Sequence, residues 1–79
     1  MSHGYSMSLA NANKKADSTN PGVAFGRFCI DREIPVTQIA AALGVSRMTI
    51  YNWFSGYVTP TRENLEAIER FKGRHKRRR

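Results

Sequence analysis

Gly44 and Ser46 stand two positions apart in "TQIAAALGVSRMTIYNWFSG", and on either side of them apolar residues recur at helical spacing. Upstream, Val36, Ile39, Ala40 and Leu43 share one helix face, while Thr37, Gln38 and Ala41 lie outward. Gly44 follows the last periodic residue, where a left-handed residue without a Cβ ends a helix. Ser46 is a good N-cap for the stretch after it. In that stretch Ile50, Trp53 and Phe54 cluster on one side, and Met48, Tyr51, Asn52 and Ser55 on the other. Two short helices must therefore meet across a turn of about three residues. At so tight a crossing the backbones come close, which requires a small side chain at Ala40.

The flanks extend this unit into an all-α domain of four short helices, or five. "NPGVAF" predicts a helix start, with Asn20 as cap and Pro21 in the first helical position. Phe25, Phe28 and Cys29 then form an inward stripe, and the helix fades between Asp31 and Glu33, ahead of Ile34 and Pro35. After the loop "SGYVTP", Thr61 or Thr59 caps a last helix over about residues 62–72, with Leu65, Ile68 and Phe71 facing in. Glu63, Glu66 and Glu69 fall on its solvated face. Residues 1–19 are rich in Ser, Asn, Ala and Gly without sustained periodicity and are expected to be a disordered arm. The folded domain is expected over residues 20–72, with a basic tail over 73–79.

Charge is unevenly spread. The chain carries +7 in 79 residues. Residues 1–20 and 21–72 hold +1 each, while "GRHKRRR" at the end holds +5 with His75 neutral. Such a tail suits a polyanion, nucleic acid first. Residues 34–62 contain no Asp or Glu, so the outward faces around the turn would not repel phosphate. The single cysteine, Cys29, excludes an internal disulfide and fits a small core residue in a reducing compartment. No apolar run is long enough to span a membrane, and the N-terminus lacks a secretory pattern. The expected location is the cytoplasm, with the nucleoid or, for a phage protein, the host cytoplasm in view.

The segment around the turn resembles the helix-turn-helix of the Cro and lambda-repressor type, the XRE family. The small Ala40 four before the turn glycine, Gly44 itself, Ile50 six after it and Trp53 nine after it all match that pattern. The resemblance covers about residues 23–71 and is most specific over 36–56. Val36 stands where many members have Gln at the helix entry, and Phe54 where many have Glu.

The resemblance implies a helix 47–55 lying in the major groove of double-stranded DNA. By position, Arg47, Met48, Tyr51 and Asn52 would face base edges. Arg47 suits the two acceptors of guanine, Asn52 the edge of adenine, and Met48 and Tyr51 a thymine methyl, with a phosphate as a second partner for Tyr51. Thr37, Gln38, Ser46, Thr49 and Ser55 would contact the DNA backbone, joined by Arg74, Lys76 and Arg77 of the tail. The function implied is that of a sequence-specific transcriptional regulator, a Cro-like repressor of phage or bacterial type. Little chain remains for a dedicated dimer interface, so a weak homodimer, or one formed on DNA, is expected.

Other classes stay open beside this one. A DNA-binding part of a packaging or recombination machine would share the fold, and a protein-interaction module would use Met48 and Tyr51 as its patch. His3 and His75 are too far apart in sequence to suggest a zinc site with Cys29. No paired carboxylates, Gly-rich phosphate loop or nucleophile triad appears, so no catalysis, cofactor or metal is expected.

Overall fold

The structure, a computed structural model, describes residues 7–75. Five helices follow in order: α1 Met7–Lys15, α2 Pro21–Asp31, α3 Val36–Leu43, α4 Arg47–Ser55 and α5 Arg62–His75. No strand occurs among the described residues.

Local chemistry sets most helix ends. Asn20 Oδ1 accepts the Gly22 N–H at 2.9 Å and Pro21 opens α2. Ser46 Oγ accepts the Thr49 N–H at 3.1 Å to open α4. Thr61 Oγ1 accepts the Asn64 N–H at 3.3 Å, which selects Thr61 over Thr59 as the cap of α5. Gly44 ends α3 with φ +70° and its N–H on the Ala40 carbonyl. A Cβ at Gly44 would meet nothing within 4 Å, so a substitution there is penalised through the backbone alone. Gly44→Val is expected to cost about 1–2 kcal/mol. A thermal melt matching wild type would show that the turn does not depend on a left-handed residue.

α2 ends at Asp31, where the sequence has it fade, but the way the chain leaves it was not legible. Glu33 takes a left-handed conformation, φ 56°, where glycine is the usual choice, and the Ile34 N–H closes on the Cys29 carbonyl at 3.0 Å. The short α2–α3 connection and the burial of Ile34 and Val36 on the core hold it there.

The core is the apolar seam where α2, α4 and α5 meet under α3. Phe25, Cys29, Ile39, Ile50, Trp53, Phe54, Ile68 and Phe71 are buried in it. Phe25 sits edge-on to Phe54 and to Phe71, with ring centroids at 5.8 and 5.7 Å. Such pairs contribute about 0.5–1.5 kcal/mol each beyond area burial. Phe28 and Leu65 are half-buried at its edge, and Arg32 covers Phe28 with its guanidinium 3.8 Å from the ring centroid.

Two expectations about the ends of the chain are corrected. Residues 7–15 are helical, not a disordered arm. Asn13 is buried, and its amide nitrogen donates to the carbonyls of Val23 at 3.1 Å and Phe54 at 2.9 Å. From α2, the Arg27 guanidinium donates to the carbonyls of Asn13, Lys14 and Ala16 at the closing end of α1. These bonds reach across the fold, so composition alone did not reveal them. The basic tail also begins later than residue 73: Gly73, Arg74 and His75 belong to α5, and His75 stacks on Phe71 at 4.3 Å.

Cys29 lies fully inside this core, and burial pushes its thiol up from 9.0 to about 12, against the opposing pull of Arg32 and Lys72. The folded chain thus holds the thiol proton at pH values where the unfolded chain loses it. The associated stability is complete below pH 9 and is lost as the pH rises toward 12. Melting temperatures followed over that range should fall less steeply for Cys29→Ala than for wild type.

Candidate nucleic-acid interface

α4 is built to show one face and bury the other. Ile50, Trp53 and Phe54 anchor it in the core, at 0%, 2% and 0% exposure. That anchoring turns Arg47, Met48 and Tyr51 to the outside, with Met48 62% and Tyr51 40% exposed. Asn52 is half-buried beside them. Its carbonyl accepts the N–H groups of Tyr57 at 3.0 Å and Val58 at 3.3 Å, closing the end of the helix. Arg47 makes no ion pair among the described residues.

The polar residues around this face fall into separate groups. Ser46 and Thr49 are together, their hydroxyls 3.0 Å apart at the opening turn of α4. Thr37 and Gln38 are exposed in the first turn of α3. Pro35 gives that helix no side-chain cap, and its carbonyl accepts the N–H groups of Gln38 at 3.0 Å and Ile39 at 3.1 Å. Ser55 is half-buried and, with Tyr51, lines a shallow groove closed on its other side by Ser8, Leu9 and Ala12 of α1. Arg74 is not part of a loose tail but stands on α5, with Arg70, beside Ala42 and Leu43 at the end of α3. Lys76 and Arg77 lie outside the described residues.

Sequence reasoning missed what α1 brings here. Asn13 and Arg27 carry no motif of their own, and their partners are 10 to 41 positions away. The one available signal was Phe54, an apolar residue where relatives of this type often carry Glu. It is fully buried against Phe25 and under the Asn13 clamp, so its apolar character reports the helix that covers it.

Among the described residues no three His, Cys, Asp or Glu side chains are grouped to hold a metal, and no helix is long and apolar enough to cross a membrane. Asp17 is the acid nearest α1 in sequence. The Thr19 N–H and hydroxyl hold its carboxyl below the usual range, at 3.0 and 2.8 Å.

Two helices joined at a left-handed glycine, the second capped by serine and showing a cationic and polar face, define a helix-turn-helix DNA-binding domain. The helix-turn-helix family model matches residues 31–74, more than half of the chain, and the chain belongs to that family, with a domain of the Cro/XRE type. No curated protein and no solved structure matches the chain. The matched segment opens at the last residue of α2, so α1 lies ahead of it.

Proposed function

We propose that this chain is a sequence-specific double-stranded DNA-binding regulator, a Cro-like transcriptional repressor of phage or bacterial type, acting in the cytoplasm or on the nucleoid. The observation that carries the reading is the outward face of α4. It opens on a Ser46 cap, shows Arg47, Met48 and Tyr51, and lies within the acid-free run 34–62. α4 enters the major groove, where Arg47 pairs with a guanine edge, Asn52 with adenine, and Met48 and Tyr51 with thymine methyl groups. Thr37, Gln38, Ser46, Thr49 and Ser55 hold the phosphates on either side, with Arg74, Lys76 and Arg77 adding charge. The domain works as a weak dimer or dimerises on DNA, with half-sites about 34 Å apart.

The test begins with selection of bound duplexes from a random pool. Arg47→Ala and Asn52→Ala are then titrated with salt on the selected duplex and on random DNA. Each is expected to cost about 1–3 kcal/mol on the selected site and far less on random sequence. Removing residues 74–79 should weaken both duplexes alike and flatten the salt dependence by up to about 0.9 for each phosphate the tail neutralises. Equal effects on both duplexes from Arg47→Ala and Asn52→Ala would mean that α4 does not read sequence. Weak binding without preference even in wild type would favour a part of a packaging or recombination machine. Unchanged DNA binding with loss of a protein partner would favour an interaction module.

A further inference from the structure

The groove between α1 and α4 enters the proposed function only through Tyr51 and Ser55. It measures about 350 Å³ and is lined by Ser8, Leu9, Ala12, Tyr51 and Ser55. We infer that α1 is a second DNA-contacting element, and that this groove seats one sugar–phosphate unit of the duplex whose bases α4 reads. The inference rests on DNA binding by α4.

Three observations lead to this occupant. The first is continuity: Tyr51 and Ser55 form one wall of the groove and also belong to the polar side of α4, so a strand lying along that face runs past the groove. The second is the lining. Ser8, Tyr51 and Ser55 each bring a hydroxyl, a neutral donor suited to phosphate oxygens, while Leu9 and Ala12 offer carbon surface to a deoxyribose. The third is charge. α1 contains no acidic residue and ends in the exposed Lys14 and Lys15, and the carboxylate of Asp17 beyond it is occupied by Thr19. A second copy seated here through the same acid-free face would leave those lysines without an acidic counterpart.

The groove is also built to persist. Asn13, on α1, is pinned to main-chain carbonyls of both α2 and α4, and Arg27 holds the closing turn of α1 from α2. α1 therefore keeps a set position beside α4, and a hydrogen bond from Ser8 requires no ordering of a free arm when DNA binds.

Ser8→Asp tests the inference. The substitution places a carboxylate in the groove but also in the first turn of α1, where a negative charge favours the helix, so folding is preserved. Affinity is expected to fall about ten-fold on the selected and the random duplex alike, and the effect should shrink as salt rises. Ser8→Lys should tighten both and steepen the plot of log affinity against log salt by about 0.9. Ser18→Asp makes the same charge change in the exposed turn beyond the other end of α1 and should leave both nearly unchanged. Equal weakening by Ser8→Asp and Ser18→Asp would overturn the inference, since bulk charge then explains it. So would unchanged binding by Ser8→Asp and Ser8→Lys while Arg47→Ala still loses the selected site; the groove would then be idle and the reading by α4 would stand. Should Ser8→Asp split a self-associated species without altering DNA affinity, the groove holds a second copy and the inference falls. Failure of wild type to bind either duplex removes both readings together.

Discussion

Trp53→Ala is expected to leave the chain largely unfolded at 37 °C. Trp53 is 2% exposed and sits between Ile50 and Phe54 in the seam that joins α4 to α2 and the rest of the core. Truncating a buried tryptophan to alanine costs about 3–5 kcal/mol, because the forfeited transfer energy is joined by a cavity that the neighbours fill only in part. A chain of this size holds a small core and sits at the low end of the usual ~5–15 kcal/mol, so the substitution removes most of its stability. Circular dichroism melts read the effect directly, since each kcal/mol moves the midpoint by about 4–8 °C in a domain this small. The measurement also decides a rival role. Were Trp53 a base-stacking residue, Trp53→Ala would melt like wild type and fail only on DNA.

The second large effect separates two helical glycines. Gly26→Ala in α2 is expected to destabilise by about 2–3 kcal/mol, although alanine is the better helix former by about 1 kcal/mol. A Cβ at residue 26 would stand 2.5 Å from the Asn13 amide nitrogen and 2.8 Å from Cγ of Phe54. Neither neighbour is a free end. The amide is held by two main-chain carbonyls, and the ring is fully buried. Relief of the clash must push α1 off the domain, which strands buried polar groups, or shift the α2–α4 seam. Gly73→Ala in α5 is the matched control. A Cβ there meets nothing within 4 Å, so the substitution should stabilise by about 0.5–1 kcal/mol. Opposite signs for the two variants in one series of melts are the expected result. A stabilised Gly26→Ala chain would mean that α1 does not dock through Asn13.

The central unit was legible because its causes are local. A left-handed Gly44, a Ser46 cap and the spacing of Ile50 from Trp53 act within a few residues, and the structure places each as its chemistry requires. The same is true of Asn20 and Pro21 at the start of α2. Once the buried side of α4 is known, its outward side follows from 100° per residue, which puts Arg47, Met48 and Tyr51 on the exposed face. Their partners in DNA are a further step that folding physics does not supply.

Residues 7–15 show the opposite case. Taken alone, "MSLANANKK" is nine residues, too short to hold a helix in water. It is helical because Asn13 finds the carbonyls of Val23 and Phe54, the latter 41 positions away, and because Arg27 closes its last turn. The left-handed Glu33 and the run of α5 through Gly73 belong with it, since neither residue type favours that state locally. By itself, then, the sequence determined the turn, the caps and the two faces of α4, all written in neighbouring residues. Only the tertiary structure decided that α1 exists, that it covers Phe54 and that a groove lies beside Tyr51, because the energy for each comes from groups that meet only when the chain has folded.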